Sequence, residues 1–155
     1  MRLIFLDIDG VLNSHQYDSL AESCIISPEN VQHLNTILAR VPDARLVISS
    51  AWRYMVLGNS MTERGFEYML RTHGVRCPGR VAGITCADEL VMNRGRQIAA
   101  FFRTHYRSEV RDPFVILDDL PEGMTMRPFE DRLVKTDGQV GLRAADAERA
   151  ILLLL

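Results

Sequence analysis

Residues 2–13 read RLIFLDIDGVLN. Arg2 to Leu6 is a short apolar run that meets Asp7, Asp9 and Gly10, the pattern of a buried strand opening into a loop. Two later runs end in a similar way. Arg45 to Ser50 (RLVISS) closes on two serines, and Phe114 to Leu117 (FVIL) runs straight into Asp118 and Asp119.

Helix signals lie between these runs. Ser27 is a good N-cap, Pro28 suits the first helical position and Glu29 the first turn. Val31, Leu34, Ile37, Leu38 and Val41 then recur at helical spacing until Pro42 and Asp43 stop the helix. Ser60 and Glu63 form a capping-box pattern for a helix carrying Phe66, Met69 and Leu70, with Gly74 placed to end it. Val81 to Cys86 is expected to be a third strand. Asn93 is expected to cap a helix whose buried stripe is Ile98, Phe101, Phe102 and Tyr106. Arg132 to Thr136 completes a set of five strands. Asp137-Gly138 is a turn, and Ala144 to Leu155 a final helix behind a poor cap, Arg143. Strands alternating with helices specify an α/β domain with a mainly parallel sheet, here one domain over residues 1–155.

Composition narrows the function. A chain of 155 residues with 47% hydrophobic and 25% charged residues can bury a full core, and its net charge of −2 excludes a binder held to nucleic acid mainly by counterion release. A polyanionic partner must therefore meet a local cluster of positive charge. Lys135 is the only lysine among 18 basic residues. The three cysteines, Cys24, Cys77 and Cys86, have neither disulfide-framework nor zinc spacing, which makes a reducing cytoplasm the expected location. Asp7 and Asp9 cut the first apolar run short of a signal core or membrane span, and Ile151 to Leu155 is only the end of a docked helix.

Open parallel sheets bind ligands at the carboxyl ends of their strands, and this sheet releases Asp7, Ser50 and Asp118 there, with Asp9 and Asp119 close by. Clustered carboxylates repel one another unless a cation joins them. Oxygen donors of this kind suit magnesium.

These residues resemble the haloacid dehalogenase (HAD) superfamily of phosphotransferases. FLDIDGVLN looks like its first motif, RLVISS its second and VILDD, ending at Asp118 and Asp119, its fourth. The third motif is a Lys or Arg near the start of the helix before the last of these strands. Lys135 comes after motif four, so the role falls to Arg94, in the first turn of the Asn93-capped helix, with Arg96 as the alternative. Free N–H groups and the dipole at that helix end are expected to favour a phosphate as well. The closing RLVKTD strand, GL turn and helix resemble the small HAD domain of Swiss Army Knife RNA repair proteins.

The resemblance implies a three-layer Rossmann-like core and a magnesium-dependent phosphatase. Asp7 would be the nucleophile that forms an aspartyl-phosphate, and Asp9 the general acid and base. Asp7, the Asp9 carbonyl and Asp118 would hold Mg2+, with Asp119 behind them. Ser50, preferred to Ser49, and Arg94 would hold the phosphoryl oxygens. Gly10 would allow the turn that returns Asp9 over the strand end.

Asn13–Ser27 is too short for more than a flap, and Trp52–Asn93 is largely filled by one helix and one strand, so no large cap domain is expected. An open site implies a phosphorylated substrate with bulk of its own, such as a nucleic-acid end, on which Trp52 and Arg53 could stack and pair. The alternatives are a small-metabolite or nucleotide phosphatase, and a phospho-accepting or inactive binding domain. In a receiver-like domain the acidic pair precedes the accepting Asp and a Lys lies on the last strand, whereas here the DxD comes first. Nothing in the sequence specifies the oligomeric state. His15, His33, His73 and His105 lack metal spacing and are read as surface or core residues.

Overall fold

The computed structural model describes residues 1–14, 26–49, 62–85, 93–105 and 113–155. Five parallel strands form one sheet: β1 (Arg2–Leu6), β2 (Ala44–Ile48), β3 (Val81–Ile84), β4 (Phe114–Asp118) and β5 (Leu133–Lys135). Their order is β3-β2-β1-β4-β5, which puts β1 at the centre and the switch in winding direction beside it. The mainly parallel expectation is met, and every strand pair is parallel.

Pleat alternation sorts the apolar residues into two cores. Ile4 and Leu6 of β1, Leu46 and Ile48 of β2, and Val115 and Leu117 of β4 face three helices: α1 (Pro28–Arg40), α2 (Glu63–Thr72) and α4 (Ala144–Leu154). Leu3, Phe5, Val47 and Ile116 face the opposite way, toward α3 (Arg94–His105). On that side Phe5 meets Phe101 edge-to-face at 5.5 Å and Phe114 at 5.8 Å. Phe102 lies 5.0 Å from Phe114. Aromatic pairs in these geometries add about 0.5–1.5 kcal/mol each beyond area burial, so this layer fixes α3 firmly over β1 and β4.

The ends of the helices follow local chemistry. Ser27 caps α1 by accepting from the Asn30 N–H, as its sequence position implies. For α2 the cap is Thr62, which accepts from the Gly65 N–H at 2.9 Å. The expected Ser60 lies outside the described residues. Arg143 contributes no side-chain cap to α4, and Asp146 compensates by accepting the Arg143 N–H at 2.9 Å. At the other end Arg2 donates to the Leu154 carbonyl at 2.7 Å and pairs with Asp43, so a cation sits at the negative end of the helix. Ile151 and Leu154 are buried, while Leu152 and Leu155 are exposed.

Cys77 is buried in the first core, and burial pushes its thiol up to about 11. Cys24, Cys86, His15, Tyr17, Trp52, Arg53 and Tyr106 lie outside the described residues. His105 stacks on Phe101 at 4.0 Å, and His73 Nδ1 is 2.9 Å from the Met69 carbonyl. Among the described residues there is no cap domain, and no helix is long and apolar enough to cross a membrane.

Candidate active site

The register of the three central strands builds the site. Leu6 is level with Ile48 of β2 and Leu117 of β4. The next residue of each strand is therefore at one height, and these are Asp7, Ser49 and Asp118. The bonding continues there, with the Asp7 N–H donating to the Leu117 carbonyl at 3.0 Å and the Ser49 N–H to the Leu6 carbonyl at 2.9 Å. Alternation turns all three toward the α3 side, because Phe5, Val47 and Ile116 face it.

From α3, Arg94 reaches down to this row. Its Nη1 donates to Asp7 Oδ2 at 2.9 Å and also to Asp118 Oδ2. The arginine side chain is 12% exposed and the Asp7 side chain 3%, so the contact is largely dry. Asp7, Asp118 and Asp119 form an all-oxygen group whose donor atoms lie within 4.8 Å of one another. Burial, reinforced by the neighbouring Asp118 charge, pushes the Asp7 carboxyl up to about 8 despite Arg94. Asp118 is also raised, mainly by burial, and Arg94 is held protonated by both carboxylates. Three carboxyl groups with one guanidinium beside two of them cannot all ionise readily without a further positive charge. The donor set therefore fits a hard divalent cation such as magnesium.

Each carboxylate is held in place by its surroundings. Asp7 Oδ1 accepts from the Ile8 N–H at 2.9 Å. Asp118 Oδ1 accepts from the Leu120 N–H at 2.6 Å, and Leu120 sits in the left-handed region, φ 40°, to offer it. Such strain in a bulky residue costs of order 1 kcal/mol and is typical of functional sites. Asp119 fills the space where a side chain at Gly10 would begin, and Gly10 has φ 79°. Both facts require glycine there.

Asp9 stands apart from the acidic group. It is exposed and accepts from Asn13 Nδ2 at 2.9 Å, while Asn13 Oδ1 accepts the Gly10 N–H at 2.9 Å. The loop that carries Asp9 is clamped from the far side as well. Thr136 Oγ1 donates to the Gly10 carbonyl at 2.7 Å, and the Leu142 N–H donates to the Val11 carbonyl at 2.8 Å. Asn30 of α1 ties that second segment down by donating to the carbonyls of Val140 and Leu142.

One expectation needs correction. The first N–H groups of α3 are not free for a phosphate: those of Arg94 and Gly95 point to the Thr125 carbonyl, and that of Arg96 goes to Asn93 Oδ1 at 3.0 Å. Arg94 serves the site through its side chain, and Arg96 is exposed on the helix surface. Ser50 lies outside the described residues. Ser49 is buried in the aspartate row, and its Oγ has no hydrogen-bond partner among the described residues. Such a hydroxyl costs free energy unless a ligand satisfies it.

Asn13, Thr136 and Gly95 were not among the residues expected to shape the site. Gly95 matters because a Cβ there would collide with the carbonyls of Met126 and Arg127, against which α3 begins. A glycine next to the motif-three arginine was the available signal for that close approach.

The model of the HAD domain in Swiss Army Knife RNA repair proteins matches residues 3–147 of this chain. No curated protein and no solved structure matches it.

Proposed function

Since the chain belongs to the family of HAD domains in Swiss Army Knife RNA repair proteins, we propose that it is a magnesium-dependent phosphomonoester hydrolase acting on nucleic-acid phosphate ends. The observation that carries this reading is the dry junction of Arg94 with Asp7 and Asp118 at the carboxyl ends of adjacent parallel strands.

The chain's own groups divide the work as follows. An Asp7 oxygen attacks phosphorus and the ester oxygen departs, taking a proton from Asp9, which leaves a phosphoryl group on Asp7. Water then attacks that phosphorus and gives its proton back to Asp9. Inorganic phosphate leaves and Asp7 is restored. Arg94 holds phosphoryl oxygens throughout, and its fixed fork spares reorganisation in the transition state. Asp7, Asp118 and Asp119, with the main-chain carbonyl of Asp9, would hold magnesium, which supplies charge neutralisation between nucleophile and substrate.

Ser49 is the better candidate for the phosphoryl-binding hydroxyl, because its Oγ, unpartnered among the described residues, belongs to the aspartate row. This replaces the preference for Ser50 that motif spacing favoured. The lack of a cap domain among the described residues favours a substrate whose own bulk excludes water, and the family's occurrence in RNA repair proteins favours a phosphorylated strand end.

Hydrolysis of 4-nitrophenyl phosphate with magnesium and with EDTA tests the activity, and a panel of 3′- and 5′-phosphorylated oligonucleotides tests the substrate. Turnover that needs magnesium and favours one kind of oligonucleotide end is expected. Turnover unchanged by EDTA would remove the metal from the account, and equal rates on oligonucleotides and small phosphates would favour a general metabolite phosphatase.

A further inference from the structure

The outer strand carries one more charged group at the height of the catalytic row. Lys135 is the β5 partner of Asp118 in the parallel register. With paired strands about 4.8 Å apart, its Cα is about 5 Å from that of Asp118 and about 10 Å from that of Asp7. Alternation along β5 fixes its face: Leu133 packs with the phenylalanine layer and Val134 with the opposite core, which returns residue 135 to the α3 side. That is the side on which Arg94 meets Asp7 and Asp118.

Charge makes this position informative. The Lys135 side chain is exposed, and its ammonium has no hydrogen-bond or ion-pair partner among the described residues. Arg94, by contrast, has its Nη1 committed to Asp7 and Asp118, and the proposed function gives its remaining donors to the phosphoryl group being transferred. A substrate with a second anionic group near its phosphomonoester would place that group about one strand's width from the acidic cluster, where carboxylates alone would repel it. A lysine on an edge strand also discourages pairing with another chain, a role that needs no ligand. Its place in the catalytic register and on the catalytic face goes beyond that role.

We propose that Lys135 binds a second phosphate of the substrate, next to the phosphomonoester being cleaved, and so selects leaving groups that carry a phosphate of their own. This assignment rests on the phosphatase reading above. The shared chemistry is met by the last internucleotide phosphate of a nucleic-acid end and by a nucleoside bisphosphate.

The test compares the wild-type protein, Lys135→Met and Lys135→Arg on 4-nitrophenyl phosphate, a nucleoside 3′,5′-bisphosphate and a terminally phosphorylated oligonucleotide. Loss of one charge-assisted contact should raise KM about tenfold for a two-phosphate substrate in Lys135→Met, with kcat held and the aryl phosphate unaffected. Lys135→Arg should recover most of the loss. A loss on the oligonucleotide alone assigns the contact to the internucleotide phosphate, and a loss on the bisphosphate as well assigns it to any neighbouring phosphate. Equal changes on all three substrates, or none on any, would overturn the assignment while leaving the phosphatase intact. A wild-type protein inactive on all three would overturn the phosphatase reading and this assignment with it.

Discussion

Arg94 Nη1 lies 2.9 Å from Asp7 Oδ2 and reaches Asp118 with the same nitrogen, so a single cation is shared by two carboxyl groups that come from adjacent strands. Arg94→Met leaves both carboxylates in a dry site without a counter-charge. Removing one partner of a buried pair costs about 3–5 kcal/mol, and that loss is expected in the metal-free protein near pH 8. At pH 5, where Asp7 holds its proton, the loss should shrink. Magnesium should restore part of it. Denaturant unfolding at the two pH values, with and without magnesium, measures each of these effects.

Asp7 also sets the pH dependence of stability. Its carboxyl titrates near 8 in the folded protein against 3.8 in the unfolded chain, because burial and Asp118 disfavour the charge. Below the unfolded value both states hold the proton and the folded state has its full advantage. As pH rises toward 8 the unfolded chain ionises while the folded one does not, and stability falls. The melting temperature of metal-free protein should therefore fall through that window, and Asp7→Asn should flatten the slope. Magnesium needs the ionised form, so its affinity should rise by up to about tenfold per pH unit below 8. Calorimetry in buffers of different ionisation enthalpy would detect the released proton.

Asp9 lies outside the acidic group, exposed beside Asn13, and the proposed function makes it the proton donor and acceptor. In Asp9→Asn, alkyl phosphates should lose about a hundredfold or more in rate and activated aryl phosphates less in the first step. The second step loses its base for every substrate. Rapid mixing should show a burst of nitrophenol with slow turnover, and equal losses in the first-step rate on both substrate types would contradict the assigned role.

Glycines are the most exacting packing positions around the site. A Cβ at Gly10 would overlap the Asp119 carboxylate, and one at Gly95 would overlap the Met126 and Arg127 carbonyls. Gly95→Ala should destabilise the fold by about 2–3 kcal/mol and pull Arg94 from the aspartates. Gly79→Ala, with open space around its Cβ but φ 67°, is the control for backbone strain alone. Thermal unfolding separates the two, with the larger loss expected at Gly95.

Ser49 and Ser50 make competing claims to the phosphoryl group. Ser49→Ala should lower kcat about a hundredfold, the typical effect of removing one donor to a transferring group, while Ser50→Ala should stay within a few-fold of wild type. The reverse pattern would return the role to Ser50.

Much of this site was legible in the sequence because strand ends and helix starts are local signals. Asp7, Asp118 and Asp119 follow uninterrupted apolar runs, and Arg94 follows an Asn cap, so alternation and capping alone bring four separate residues to one edge of the sheet. What escaped were choices made by long-range contact. Ser49 and Ser50 differ only by a pleat, and only the register with β1, which is not a local signal, levels Ser49 with Asp7. Thr62 serves as the α2 cap where Ser60 and Glu63 matched the box pattern, since helix start depends on where the chain arrives. The clamp of Thr136 on Gly10 spans most of the chain and leaves no periodic trace.

The central claim is that Asp7 carries the phosphoryl group between two half-reactions. Its most direct test is acid quench of a single turnover with phosphate-labelled substrate and magnesium, followed by peptide mapping, in wild type and Asp7→Asn. The account predicts transient label on the peptide containing Asp7, absent from the variant, with steady-state turnover lowered at least about a thousandfold, or ~4 kcal/mol of barrier. Turnover within tenfold of wild type in Asp7→Asn, or label trapped on another residue, would contradict it.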